Sequence, residues 1–404
     1  MSSATAQIGF INAAHSFTHY SLLILPTAVL AMVAPGGVFG AEYGAILALA
    51  TGGFILYGIC ALPQGWLAAR IGRRHLMTIF FIGAGLSMMA TGLAETPAML
   101  ALTLGATGLF VAIYHPIGTA LLVDVAGDKP GQAIGLNGVF GNIGVAMAPM
   151  MTAVIAAQLG WHWAFVLPGA ACTVLGLFWL RLPAWDGQSS RRASPFPDIP
   201  APVVRRVIII LLLIAAVSGL IFNAFTLLIP KLMQERLSGA PTLAGLAATL
   251  ATLCGAATQL TVGRMIDRMT LKRLFLPFGL VLVPVLLLLS IAQGWLIVPV
   301  AGAVAAVIFG QVTINETMTA RYFSPALRTK MYSIRFFVGF LGSAAAPPVI
   351  GFLHERTGAL TASVLLLAVF ALVTLGCALT FPNRPEELDP SRWSAPGAVP
   401  APAE

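Results

Sequence analysis

His15 and His19 stand four residues apart in an apolar stretch, so a helix carries both on one face, with Asn12 one turn before them. A third imidazole, His115, lies in another apolar stretch. His115 is 17 residues from position 98 and His15 is 18 from position 33, which puts them at nearly one depth if both stretches cross a membrane. An imidazole, with its ordinary pKa near 6.5, exchanges protons at physiological pH and is also a common metal ligand. Three readings of the set compete: a substrate and proton site, a hydrogen-bonded helix contact, and a transition-metal site. The metal reading draws on thioethers suited to Cu(I), since Met147 and Met151 have MxxxM spacing and Met150 and Met318 lie in similar surroundings. Against it, methionine on an apolar helix ordinarily packs, and no HxxxM pair is present.

Glu316 and Arg335 are the other charged candidates inside apolar stretches. A charge at the bilayer centre costs about 2.5–3.5 kcal/mol or more, so each is a functional candidate by default. If they meet, each offsets the other's desolvation as a structural ion pair, whereas a lone carboxylate, its pKa raised by burial, can carry a proton during turnover. Asn137, Asn142, Asn223 and Gln259 are polar candidates for a cavity, with helix–helix hydrogen bonding as the alternative. Gly138, Gly141 and Gly144 read as close helix packing, and Pro26, Pro63, Pro116 and Pro149 as tolerated kinks. No phosphate-binding GxxxxGK loop and no HExxH pair occurs, and no soluble segment is long enough for a catalytic domain. The chain is therefore read as neither an enzyme nor a protein that needs a cofactor.

The elements that position these residues follow from composition. Of 404 residues 58% are hydrophobic and 9% charged, too few charges to cover a surface facing water. Apolar runs of more than about 18 residues recur along the chain, each able to cross the bilayer as a helix. Twelve spans are expected, near 8–33, 42–68, 75–94, 98–125, 132–158, 162–181, 206–235, 241–266, 273–292, 295–322, 328–354 and 358–380. The first run is too long for a cleaved signal segment. A polar, proline-containing break separates six spans from six. The expected organisation is thus a six-helix bundle over 1–181, a cytoplasmic linker over 182–205, a second bundle over 206–380, and a disordered cytoplasmic tail over 381–404.

The net charge of +8 does not point to nucleic acid, because Lys and Arg fall in short clusters between apolar runs. With the N-terminus inside, 19 of the 22 lie on the cytoplasmic side, leaving Lys231, Arg236 and Arg356 outside. Both termini are therefore expected in the cytoplasm. The four cysteines lie in apolar runs without CxxC spacing and read as small buried hydrophobes.

The halves repeat. The loop after span two reads Gly65-Trp-Leu-Ala-Ala-Arg70-Ile-Gly72-Arg73-Arg74, and that after span eight reads Gly263-Arg-Met-Ile-Asp267-Arg268. Gly144 precedes Pro149 by five residues, as Gly342 precedes Pro347. These loops resemble the signature G-x-L-a-D-R-x-G-R-R of the major facilitator superfamily. Gly65, Leu67, Arg70, Gly72, Arg73 and Arg74 match, whereas Ala69 stands where the family has Asp. Asp124, at the inner end of span four, is the expected substitute partner for Arg70 or Arg73. Tyr114-His115-Pro116, followed by Gly141-Asn142-Ile-Gly144 and Pro149, is similar to the fosmidomycin-resistance branch of drug/proton antiporters. His15 replaces an acid expected in that branch's first helix.

The resemblance implies an all-α membrane protein of twelve helices in two pseudo-symmetric bundles, working as a monomer in a bacterial inner membrane. It implies a secondary transporter of a small solute, driven by protons and running as efflux. Import of copper or a nutrient, and a non-transporting receptor or assembly factor, are the alternatives.

Overall fold

The computed structural model describes residues 3–33, 38–40, 42–126, 130–183, 196–197, 199–266, 268–388 and 393–394. Apart from short turns and one antiparallel pair of two-residue strands, Phe196–Pro197 with Trp393–Ser394, the described chain is helical. Ten stretches are long and apolar enough to cross a membrane, and Tyr43–Ile59 with Gln64–Ile71, bent by 62°, adds an eleventh. The pair α1 (Ser3–Leu22) and α2 (Leu25–Met32) stands where the first of twelve spans is expected, and Asn12, His15, Ser16 and His19 make it less apolar than a lipid-facing span.

Span two is α3 (Tyr43–Ala48), α4 (Thr51–Ile59) and α5 (Gln64–Ile71). Then come α6 (Arg73–Gly92), α7 (Pro97–Val111) with α8 (Tyr114–Val125), α9 (Pro130–Leu159) and α10 (Trp161–Arg181). The second half is α11 (Ala201–Leu237), α12 (Pro241–Ile266), α13 (Leu271–Ile291), α14 (Ile297–Tyr322), α15 (Pro325–Ala344) with α16 (Ala346–Thr357), and α17 (Thr361–Thr380). Large apolar side chains such as Leu102 (74% exposed) and Ile291 (70%) point outward. Lipid, not water, is the solvent such a surface fits.

Prolines set the breaks. Pro116 lacks an N–H for the carbonyl of Ala112, and α7 gives way to α8 there, which aims Tyr114 and His115 inward. Pro347 likewise releases the Ser343 carbonyl, which accepts instead from Asn223 Nδ2 at 2.8 Å. A neighbouring helix thus satisfies the freed backbone group, as a hydrocarbon environment requires.

Packing repeats between the halves: α1 lies on α9 as α11 lies on α15, α6 on α10 as α13 on α17, and α4 on α7 as α12 on α14. Glycines permit the closest approaches. A Cβ on Gly144 would stand 2.2 Å from the Ser16 carbonyl oxygen, and one on Gly342 2.4 Å from that of Ala216. Gly138 differs, since a Cβ there meets nothing within 4 Å.

At the arginine-rich end, several charged groups are satisfied within their own half. Arg73 Nη1 donates to Asp124 Oδ2, while Arg70 stacks on Trp66 at 3.5 Å instead of pairing. In the second half Arg321 donates to the Ile266 carbonyl at 2.5 Å. Gly72 turns between α5 and α6 at φ 82°, a conformation that disfavours any side chain, whereas Gly65 and Gly263 face open space. Arg268 N–H caps the chain onto the Met265 carbonyl, and Asp267 lies outside the described residues. Because Arg73 is 38% exposed, Asp124→Asn is expected to lower stability by less than about 1 kcal/mol. Thermal unfolding in detergent should shift by only about 3 °C or less, and a larger fall would mean the pair is an essential brace.

Cross-half contacts gather at the opposite end and mid-depth. There the Tyr43 ring lies 4.9 Å from that of His354 and 5.5 Å from Lys231 Nζ, while His354 Nε2 is 3.0 Å from Glu235 Oε1. Gly44 and Gly351 touch backbone to backbone, so a Cβ on Gly351 would stand 2.6 Å from the Gly44 oxygen. Gly351→Leu is expected to wedge this end open. In a cysteine-free background, Tyr57→Cys should then be labelled from that side by an impermeant maleimide. Unchanged labelling would show that the contact does not gate access.

Two boundaries differ from expectation. The seventh span begins at Ala201, inside the expected linker, because Ile199, Val203 and Val204 pack against a buried cluster led by Val207 and Leu211. The tail is ordered through Leu388: Phe381 is buried against Phe275 and Tyr322, and Glu387 accepts from the Leu271 amide at the start of α13. Burial raises the Glu387 carboxyl pKa, with that amide and Arg321 opposing the shift. Trp393–Ser394 of the tail pairs with Phe196–Pro197 of the linker, and most other residues of both segments lie outside the described residues. Cys254, expected to be buried, is exposed on the apolar surface.

Candidate functional site

Asn12, His15 and His19 of α1 face α9, and the space their side chains occupy exists because α9 has Gly141 at the crossing. A Cβ on Gly141 would stand 2.6 Å from His15 Cε1. His15 Nδ1 lies 2.7 Å from the Asn137 carbonyl oxygen. A carbonyl only accepts, so Nδ1 carries the proton and Nε2 keeps its lone pair. That Nε2 is 3.2 Å from His19 Nε2, which donates to it when both rings are neutral. His115 stands edge-on to both, with centroids 5.3 Å from His15 and 5.4 Å from His19. One ring nitrogen from each histidine falls within a set spanning no more than 4.8 Å, and all three residues are half-buried.

A polar scaffold holds the cluster. Asn137 Nδ2 donates to Asn12 Oδ1 at 2.9 Å, and the Tyr114 hydroxyl donates to Asn137 Oδ1 at 2.9 Å. The Tyr114 ring also stacks on His15 at 4.8 Å. Asn12 and Asn137 are buried, so these bonds satisfy amides that otherwise cost about 1–3 kcal/mol each. Their place is behind the histidines, holding ring orientation.

The facing wall comes from the other half. Phe336 and Phe340 of α15 lie 5.8 and 6.0 Å from His115, and Tyr57 of α4 lies 4.3 Å from Phe340. Arg335 rests over Phe336 at 4.8 Å and pairs with Glu316 at 3.6 Å. The offset that carries Gly144 to Gly342 and Pro149 to Pro347 also carries Asn137 to Arg335, so the repeat places a guanidinium where the first half has an amide. Arg335 is buried and its Nε has no hydrogen-bond partner, as is true of Asn315 Oδ1 and Gln311 Nε2 on α14. Glu316 is not the desolvated carboxylate expected from sequence: its side chain is 47% exposed, because α14 turns Asn315 rather than Glu316 into the packed interior.

Other candidates fall elsewhere. Asn142 points away from the histidines and donates to Gln259 Oε1 at 2.6 Å, joining α9 to α12 across the halves. Met151 is 45% exposed on the outer surface, so the face that Met147 and Met151 share is not turned wholly into the cluster. The methionine part of the metal expectation is corrected accordingly. Sequence reading missed Tyr57, Phe336 and Phe340 as neighbours of His115. The signal available was Tyr332, Phe336 and Phe340 at four-residue spacing beside Arg335, one aromatic stripe on a helix.

A site of ionisable groups at mid-depth between two six-helix halves belongs to a transporter architecture, and comparison with known proteins agrees. The Major Facilitator Superfamily model matches residues 10–238 and 211–402. The chain belongs to that superfamily. The fold also matches that of a D-xylose–proton symporter (TM-score 0.76, 13% identity, 95% of this chain and 98% of that one). A bacterial homologue of the human lysosomal transporter Spinster, solved inward-facing, has TM-score 0.73 at 14% identity over 94% of this chain and 98% of that one.

Among curated superfamily members, a quinolone resistance transporter of Acinetobacter baumannii is 25% identical over 389 residues, 87% of each chain. A D-galactonate transporter of Escherichia coli O6:H1 is 26% identical over 130 residues, 31% of this chain and 30% of that protein. The match thus spans under a third of that relative. The chain is a multi-pass membrane transporter of the superfamily, not an enzyme.

Proposed function

We propose that this transporter exports a small organic anion in exchange for protons, by alternating access, with His15, His19 and His115 as the proton-exchanging group and Arg335 as the anion contact. The observation that carries the reading is the meeting, mid-membrane, of three imidazoles from α1 and α8 with the α15 wall of Phe336, Phe340 and Arg335. Cationic potential there exceeds what Glu316 balances once any imidazole is protonated. The buried Nε of Arg335 has no hydrogen-bond partner, so the guanidinium keeps donor capacity that Glu316 does not use. Relatives named for galactonate, hexose phosphate and nitrate are consistent with an anionic solute, and the quinolone resistance relative with efflux and with the drug/proton antiporter branch.

In this mechanism the two six-helix halves rock about the site, and the segment between α10 and α11 connects them on the cytoplasmic side. The arginine-rich end is cytoplasmic, both termini lie there, and a monomer in a bacterial inner membrane is the working unit. Contacts of Tyr43 and Gly44 close the far end, while the ion pairs and carbonyl bonds at the arginine-rich end stay within their own halves, a pattern that favours access from the cytoplasm. One proton crossing 100 mV supplies about 2.3 kcal/mol. The test is uptake into inverted proteoliposomes under an imposed pH gradient, using carboxylate solutes including a quinolone. Wild type should accumulate at least one of them, and His115→Ala and His19→Ala should abolish the pH-dependent part while still inserting. Unchanged transport in both variants would overturn the assignment.

A second reading, a transition metal as cargo, is favoured by one observation. His15 donates Nδ1–H to a carbonyl and offers Nε2, the arrangement typical of metal-ligating histidine. Two nitrogens on one tetrahedral ion at ~2.0–2.1 Å lie about 3.4 Å apart, close to the 3.2 Å between the His15 and His19 Nε2 atoms. Equimolar Cu or Zn bound to the purified protein and lost in His15→Ala would establish it, and no binding would dismiss it.

A further inference from the structure

A groove of about 960 Å³ opens on the outer flank of the second half, between α11 and α17, away from the imidazoles. Its walls are apolar and face lipid: Ile209 (53% exposed), Leu213 (47%) and Val373 (39%) line it. Gly376 forms part of its floor, and a Cβ there would meet nothing within 4 Å, so the slot is open at backbone level. At the arginine-rich mouth stand Arg205 and Arg206, both exposed. Among the described residues no carboxylate pairs with either.

The surrounding charge has one sign. Lys272 is near enough to Arg206 to repel it, and its ammonium is held on the Ala378 carbonyl at 2.6 Å. The nearby carboxylate of Glu387 is already engaged by the Leu271 amide and faces Arg321 and Arg384. An apolar slot running along two spans, with cations only at its interfacial end, has the two-part chemistry of an anionic phospholipid. Acyl chains fill the slot and the phosphate sits between the guanidiniums.

We propose that this groove is a specific site for an anionic phospholipid, independent of the transported solute. The test uses the full-length protein in mixed micelles, with phosphatidylglycerol and phosphatidylcholine as probes and lipid retention read by native mass spectrometry. Wild type should retain phosphatidylglycerol well above phosphatidylcholine. Arg205→Gln with Arg206→Gln should weaken phosphatidylglycerol about thirtyfold, the expected sum for two interfacial cations, and leave phosphatidylcholine unchanged.

Gly376→Leu leaves both arginines in place and has room to fold, yet fills the slot. It should displace the lipid as fully as the charge variant. Equal retention of the two lipids by wild type would overturn the proposal. So would undiminished phosphatidylglycerol in the double arginine variant, or in Gly376→Leu.

Discussion

Replacing His15 by alanine is expected to lower transport driven by a pH gradient on the order of a hundredfold, the scale associated with loss of one positioned proton-transfer group. His15 is the hub of the cluster: its Nδ1 meets the Asn137 carbonyl, its Nε2 meets His19, and its ring packs against both Tyr114 and His115. A purely structural histidine would give the same loss through misfolding, so His15→Gln separates the cases. Glutamine keeps an N–H for the Asn137 carbonyl but exchanges no proton. The glutamine variant should therefore melt within a few degrees of wild type and still fail in gradient-driven transport. If it transports normally, His15 is a hydrogen-bonded helix contact and the proton role moves elsewhere. Solute binding measured without a gradient should persist in the glutamine variant, which places the defect in coupling.

Gly144→Val should prevent the first half from assembling. The added Cβ would stand 2.2 Å from the Ser16 carbonyl oxygen and 2.9 Å from Ser16 Cα, and neither backbone atom can rotate away as a side-chain tip would. Overpacking of yielding cores costs about 1–3 kcal/mol, and a backbone obstacle raises that further. Fluorescence-detected size-exclusion chromatography should show loss of the monodisperse peak. Gly342→Val should do the same to the second half, where Ala216 supplies the obstacle at 2.4 Å. Gly138→Ala is the control: with nothing within 4 Å, it should be neutral or gain about 0.5–1 kcal/mol from helix propensity. Wild-type behaviour of Gly144→Val would mean that α1 and α9 do not cross at this distance in the membrane.

The glycines show where sequence reading stops. Gly138, Gly141 and Gly144 look alike in sequence as small residues on an apolar helix, and all three read as packing. Only Gly144 and Gly141 approach α1, the first against backbone and the second against the His15 ring. Glu316 and Arg335 were paired from their isolation in apolar runs, and the two groups do lie 3.6 Å apart. How much of each is buried was not readable, because that depends on how α14 and α15 are turned about their axes. The tail from Phe381 reads as polar and proline-rich, yet Phe381 and Glu387 dock on α13 and α14 through contacts that composition does not encode.

Sequence alone determined membrane residence, the number of spans, the repeat between the halves and the short roster of ionisable residues inside them. These follow from transfer free energy and from local helix chemistry, which act residue by residue. Tertiary structure decided which of those residues meet. The bond from His15 to the Asn137 carbonyl joins positions 122 apart, and the aromatic wall opposite His115 comes from α15 in the other half. Inside a bilayer, lipid and neighbouring helices are equally apolar, so hydrophobicity does not say which face of a helix turns inward. Close packing of small residues and satisfaction of freed backbone and amide groups make that choice, and both exist only between helices already in contact.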